Sequence, residues 1–188
     1  MSGWAKKRRL MKRYDLTASM YDLRYADEQK AKIEAALRSV KEKWFGLVLD
    51  VGCGTGILFD YLTDRPKMIL GLDLSKKTLL EAKARMFKKN MNNVHLVQAD
   101  ADNMPFGDGM FDQVLAVTVL QNAPDPGTTL REIRRVAKDE AIFVLTGLKS
   151  IFSRRRFERV LKKAGVKLEE FEEDDLKCYV AICRNSCP

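Results

Sequence analysis

The stretch from Leu47 to Gly56 joins an apolar run, Leu47-Val48-Leu49, to Asp50-Val51 and then to glycines at 52, 54 and 56. Val48, Leu49 and Val51 put apolar side chains on both faces of an extended segment, which suits a parallel strand covered by helices on each side. The glycines let the backbone turn sharply and approach a ligand with no Cβ in the way. Ile57 to Leu62 then resumes with helical spacing, so the loop opens onto a helix N-terminus whose free N–H groups favour an anion. Beyond it, strands are predicted near 68–73, 94–98, 111–118 and 140–146, and helices near 56–64, 76–90, 127–138 and 153–164. A helix near 28–44, with Ile33, Ala36, Leu37, Val40 and Trp44 on one face, precedes the first strand and ends at Gly46. Repeated βα units imply an α/β fold with a doubly wound, mostly parallel sheet between helical layers.

The glycine spacing narrows the ligand. Dinucleotide folds use G-x-G-x-x-G, and a P-loop ends in Gly-Lys-Ser/Thr, whereas this loop reads D-x-G-x-G-x-G. With Gly71-Leu72-Asp73-Leu74-Ser75 at the end of the next apolar run, it resembles the class I S-adenosylmethionine-dependent methyltransferases. Gln98 to Phe106 resembles that family's adenine-side loop, Phe111 to Thr118 its fourth strand, and Val119 to Pro126 the loop beyond. Tyr14-Asp15-Leu16-Thr17-Ala18-Ser19-Met20-Tyr21-Asp22 is similar to the opening segment of small enzymes of the quinone-biosynthesis type. The resemblance covers nearly the whole chain. It implies a seven-stranded Rossmann-like sheet closed by an antiparallel hairpin, Val166–Glu172 with Lys177–Arg184, around the acidic turn 172–175.

Residue roles follow from position and from the resemblance. Asp73 ends the second strand at the edge where doubly wound sheets bind ligands, and an acid there can accept both ribose hydroxyls. Its other reading is a helix N-cap, which Ser75 can serve equally well. By resemblance, Asp100 accepts the adenine amino group, the Ala101 backbone meets a ring nitrogen and Leu74 packs on the adenine face. Asp50, Gly52, Cys53, Gly54 and Gly56 surround the methionine end, and Thr118 lies under the sulfonium. Tyr14, Ala18, Tyr21 and Tyr25 form one helical stripe. The resemblance makes Tyr21 part of a lid, while Tyr14 and Tyr25 can equally be packing residues. No catalytic acid or base is assigned. Thr118, Gln121 and Asn122 are the candidates, and the Asn-Pro-Pro-Tyr run of enzymes acting on planar amino groups is absent after the fourth strand.

A chain of 188 residues reads as one domain, with residues 1–45 a helical lid segment and 46–188 a catalytic core. No apolar stretch has membrane-spanning length and no secretory leader is legible, so a cytoplasmic protein is expected. Cys53, Cys178, Cys183 and Cys187 lack zinc-site spacing, and Cys178 and Cys183 would face opposite sides of a strand, so neither a metal nor a disulfide is expected. His95 reads as a packing or edge residue. The formal charge is +8 and the pI about 9.3. Basic clusters at Lys6–Arg9, Lys12-Arg13, Lys88-Lys89, Arg134-Arg135, Arg154-Arg155-Arg156 and Lys162-Lys163 would attract phosphates. They favour RNA as the methyl acceptor, through Arg8, Arg9, Arg13 and Arg154–Arg156 at the mouth of the site, with a small activating protein subunit supplying recognition. Two alternatives stand beside RNA: a small metabolite or lipid-like acceptor with the charge incidental, and a non-catalytic cofactor-binding scaffold.

Overall fold

In the computed structural model, Leu47–Val51 forms β1, and Met68–Asp73 (β2) and Phe111–Ala116 (β4) run parallel on its two sides. Val94–Gln98 (β3) flanks β2, and Ala137–Leu148 (β5) flanks β4. The antiparallel pair Val166–Glu172 (β6) and Cys178–Asn185 (β7) completes a seven-stranded sheet of order β3-β2-β1-β4-β5-β7-β6. The helices are Gly3–Arg38 (α1), Phe59–Leu62 (α2), Lys76–Lys88 (α3), Pro126–Val136 (α4) and Arg154–Lys163 (α5). The structure describes residues 3–38, 40, 46–62, 66–172 and 176–185, and of residues 21–27 the backbone alone. Trp44, Cys187, the turn residues 173–175 and the side chains of Tyr21 and Tyr25 therefore lie outside the described residues.

Each face of the sheet carries its own apolar cluster. Leu49, Val51, Leu72, Val114, Phe143 and Leu145 pack under α4 and α5, and Val48, Ile69, Leu115 and Val144 pack under α1, α2 and α3. Val48, Leu49 and Val51 are fully buried, and each such side chain contributes roughly 1.5–3 kcal/mol relative to exposure. Cys178 and Cys183 sit in opposite clusters as free thiols, as their odd spacing requires. His95 is exposed on the edge strand β3.

Several boundaries differ from those expected. The largest difference is at the N-terminus, where the helix expected near 28–44 is the end of one helix of 36 residues that runs from Gly3 to Arg38. No glycine or proline interrupts the chain between Gly3 and Gly46, so nothing in it breaks helical hydrogen bonding. At 1.5 Å per residue α1 extends about 54 Å. That length lets its second half pack on the core through Ile33, Ala35, Ala36 and Leu37 while its first half reaches across the tips of the strands. β4 stops at Ala116, two residues early, because Thr118 takes a left-handed backbone (φ 64°). β5 begins three residues earlier than expected, and α2 is a single turn.

Candidate functional site

The sheet reverses its winding between β1 and β4, and ligands bind doubly wound sheets at the carboxyl ends of strands at such a point. A cleft enclosing about 880 Å³, counted out to solvent, lies there. Its floor is built from the ends of β1, β2, β3 and β4 through Gly52, Gly54, Asp73, Asp100 and Thr118. Its roof is the first half of α1, through Lys7, Leu10, Met11 and Tyr14.

The floor is fixed by backbone hydrogen bonds. The N–H groups of Gly52 and Cys53 both donate to the Leu72 carbonyl (2.7 and 3.0 Å), which folds the loop back against β2. Gly54 adopts φ 55°, and nothing stands within 4 Å of where a Cβ would project, so its backbone faces open cleft. Its N–H donates to Asp73 Oδ2 (2.9 Å), while Ser75 N–H donates to Asp73 Oδ1 (2.8 Å). Ser75 itself caps α3, its hydroxyl accepting from Thr78 N–H. Asp73 is thus free of the capping duty and presents its remaining acceptor sites to the cleft. Burial raises its pKa, and the N–H groups of Ser75 and Gly54 oppose that rise.

Asp50 stands behind the loop rather than in the cleft wall. It is buried, its Oδ2 has no hydrogen-bond partner among the described residues, and burial with the nearby Asp73 charge pushes its pKa well up. Cys53 turns into the core between β1 and α2, and burial pushes its thiol pKa up as well. Gly56 also lies off the cleft, and a Cβ there would meet the Phe59 ring at 2.6 Å. Of the loop residues assigned to the ligand from sequence, Gly52 and Gly54 therefore line the cleft, whereas Asp50, Cys53 and Gly56 support it from behind.

At the opposite end of the cleft lie Leu74, Asp100 and Ala101. Lys7 reaches down from α1 and donates to both oxygens of Asp100 (2.7 Å each), and it also pairs with Asp102. Burial of Lys7 works against its charge, but the bonds to Asp100 and Asp102 outweigh it and hold its pKa above the usual value. Nothing in the basic run Lys6–Arg9 distinguished Lys7 from its neighbours. In the structure helical phase does, since positions 7, 11 and 14 share a face with Ala18, which is buried.

Between the two ends, Thr118 N–H donates to Thr146 Oγ1 (2.7 Å) and Thr118 Oγ1 to Gln29 Oε1 (3.3 Å). Positive φ at a β-branched residue costs on the order of 1–3 kcal/mol, and such strain concentrates at functional sites. Asn122 Nδ2 donates to the Thr118 carbonyl and to Tyr14 Oη, both at 3.1 Å. Asn122 thereby joins floor to roof, and Tyr14 has a polar role within the cleft. Gln121 does not line the cleft, and its buried Oε1 has no partner among the described residues.

The expected basic mouth does not form a single surface. Arg154 pairs with Glu158 and lies over the Phe171 ring, and Arg156 lies over Phe152 and donates to the Ile151 carbonyl. Arg155 is exposed, and none of the three lines the cleft. Arg8, Arg9 and Arg13 are exposed on the outer side of α1, away from the cleft. Arg134 and Arg135 lie at the opposite end of the strands, where β5 begins and β7 ends, and Arg135 binds Glu132 and Asp108. Among the described residues no cluster of side chains suits a metal ion, and no helix is long and apolar enough to cross a membrane.

Comparison with known proteins agrees with this geometry. Residues 49–145 match the family described as the methyltransferase domain. The chain is 35% identical over 150 residues to a malonyl-[acyl-carrier protein] O-methyltransferase of Marinomonas, covering 79% of this chain and 54% of that protein. It is 32% identical over 147 residues to a demethylmenaquinone methyltransferase of Staphylococcus haemolyticus, covering 74% and 61%. The chain thus spans between half and two thirds of the length of these curated relatives. Among solved structures, the complex of the Haloferax volcanii Trm112 methyltransferase activator with a methyltransferase matches with a TM-score of 0.81 at 20% identity, covering 93% of this chain and 98% of that one.

Proposed function

We propose, for a chain that belongs to the methyltransferase-domain family, that it transfers a methyl group from S-adenosylmethionine to a small or lipid-like acceptor bound beneath α1. The observation that carries this reading is the cleft itself: open backbone at Gly54, a carboxylate at each of two strand ends, and apolar walls from Leu10, Met11, Val117, Val119 and Pro124. The group fits the residues present. Asp73 would accept the ribose hydroxyls, Asp100 the adenine amino group, and the Ala101 backbone a ring nitrogen, with Leu74 against the adenine. The Gly52–Gly54 backbone would cradle the methionine end, where Asp50, its Oδ2 without a partner among the described residues, would face the ammonium directly or through water from behind the loop. Tyr21 remains part of this proposal as a lid residue.

S-adenosylmethionine, when bound, supplies an electrophilic methyl on a sulfonium. What the chain contributes is alignment and exclusion of water, which suffice for a large share of an in-line displacement. Thr118 would border the transferring methyl, its strained backbone held by Thr146 and Gln29. Asn122 and Tyr14 offer polar atoms to an acceptor at the same end. No described side chain there is a strong general base, which favours an acceptor that already ionises at neutral pH, such as a carboxylate or an acidic phenol.

The named acceptors of the relatives, an acyl thioester and a quinone precursor, support a small or lipid-like substrate. RNA, the acceptor favoured by the basic clusters, loses support because those clusters divide between opposite ends of the strands and α1 closes the cleft from above. A small activating protein subunit stays in the proposal, motivated by the Haloferax complex. The test is to incubate the protein with methyl-tritiated cofactor and cell extract. Label that partitions into organic solvent or small acids and survives ribonuclease is expected; label that ribonuclease releases would overturn the acceptor assignment.

A further inference from the structure

We infer that the outer faces of α1 and α3 form a docking surface for an anionic lipid bilayer. On α1 the cleft-facing residues Lys7, Met11 and Tyr14 are two positions out of phase with Arg9, Arg13 and Leu16, so the second set points about 200° away. Leu16 and Met20 stand on that outward stripe one turn apart, and Leu16 is 81% exposed. On α3, Leu80 and Phe87 stand two turns apart on the solvent side, and Phe87 is 72% exposed.

The two stripes adjoin. Asp15, next to Leu16, accepts from Ser75 Oγ (2.6 Å) and Lys77 N–H (3.3 Å) at the start of α3, and the two helices pack along their sides. This brings the residue before Leu16 to the first turn of α3, the helix that carries Leu80. Charge identifies the occupant. From Lys6 to Met20 every exposed charged side chain on α1 is cationic, and on α3 every one except Glu81 is. Lys83 lies 5.8 Å from the centre of the Phe87 ring, so even the most apolar point of α3 carries a cation beside it.

A basic helix face with large exposed apolar residues lies in the plane of a membrane interface, the cations at the headgroups and the apolar side chains in the acyl boundary. RNA would use the cations but would gain nothing from four exposed apolar side chains. The surface deepens the reading of a lipid-like acceptor, because α1 is also the roof of the cleft, but docking does not require that reading. It brings α1, with the cleft on its opposite side, to the layer in which such an acceptor dissolves.

Co-sedimentation with vesicles of phosphatidylcholine, alone or mixed with phosphatidylglycerol, tests the proposal on the full chain. Retention on the mixed vesicles alone is expected, weakened but not abolished by salt. The double variant Leu16→Glu/Met20→Glu, and separately Phe87→Glu, should each lower partitioning by about tenfold or more, with the circular dichroism and cofactor affinity unchanged. Equal retention by both variants, no preference for anionic vesicles, or saturable binding to total RNA in place of vesicles would each overturn it. If vesicle binding holds but methyl label enters only water-soluble acceptors, the docking surface stands and the lipid-like acceptor is lost.

Discussion

The floor and the roof of the cleft are held in different ways. On the floor, Gly52, Cys53 and Gly54 are fixed by N–H bonds to the Leu72 carbonyl and the Asp73 carboxylate, so the loop is continuous with the hydrogen bonding of β1 and β2. On the roof, the first half of α1 is held by side chains: Lys7 on Asp100 and Asp102, Tyr14 on Asn122, and Asp15 on Ser75. Further along, Lys32 is fully buried against Glu28, which also binds Lys177 beside β7. Backbone bonds inside a sheet break only with the sheet. Individual side-chain bonds net about 0.5–3 kcal/mol each and can open singly. The floor is therefore held as part of the sheet, whereas the N-terminal roof is held by bonds that can open one at a time.

The sharpest contrast comes from putting a side chain into the floor. Gly54→Val forces a β-branched residue to φ 55° and fills the open space over the loop. Cofactor binding should become undetectable by calorimetry, while the melting temperature falls by only a few degrees, since the left-handed conformation costs on the order of 1–2 kcal/mol. Retained affinity would mean that the loop is not the template.

Behind the floor, Asp50 makes the comparison pH-dependent. Its folded pKa is raised above the unfolded value, so burying Asp50 costs stability wherever the unfolded carboxyl is ionised, and that cost shrinks as pH falls below the folded pKa and is gone below the unfolded one. Asp50→Asn should therefore be more stable than the original at neutral pH, by about 1–3 kcal/mol, and the difference should shrink toward acid. Cofactor affinity should fall in the same variant. A stability difference that is flat with pH would show that Asp50 is not ionised against its surroundings.

Smaller effects belong to the roof. Lys7→Met removes the cation that engages both Asp100 oxygens. If Asp100 must accept the adenine amino group, cofactor affinity should rise a few-fold at low salt and less at high salt. The variant should also melt slightly lower. Weaker binding in Lys7→Met would make Lys7 a ligand contact instead of a competitor.

The same division explains what could be read from sequence. Strand positions β1 to β3 and the cleft residues Gly52, Gly54 and Asp73 were legible because glycines and an acid stand at the ends of apolar runs, whereas Asp100 and Thr118 were reached through the family resemblance. Ser75 as the cap of α3 was legible for the same local reason. Cys53 and Gly56 lie within the motif yet face the core, because membership of a loop motif does not settle which way each residue points. Lys7 and Gln29 reach the cleft over 93 and 89 residues of sequence separation, which no local pattern encodes. The helical character of residues 1–45 was legible in the Tyr14, Ala18, Tyr21 and Tyr25 stripe and in the periodicity of 28–44, but the two stretches pack on different surfaces, one over a cleft and one on the core, so their union into one α1 was not. The basic clusters misled because charge in sequence carries no information about which edge of the sheet a helix end occupies.

The most direct test is calorimetric titration of S-adenosylmethionine into the original protein, Asp73→Ala and Asp73→Asn, with thermal melts to confirm folding. Asp73→Ala loses charge-assisted bonds to the ribose, worth about 1.5–3 kcal/mol each, and should bind at least about tenfold more weakly. Asp73→Asn keeps one acceptor oxygen and should fall between the two. Equal affinity in all three folded proteins, or no binding by the original chain, would contradict the assignment of the cleft.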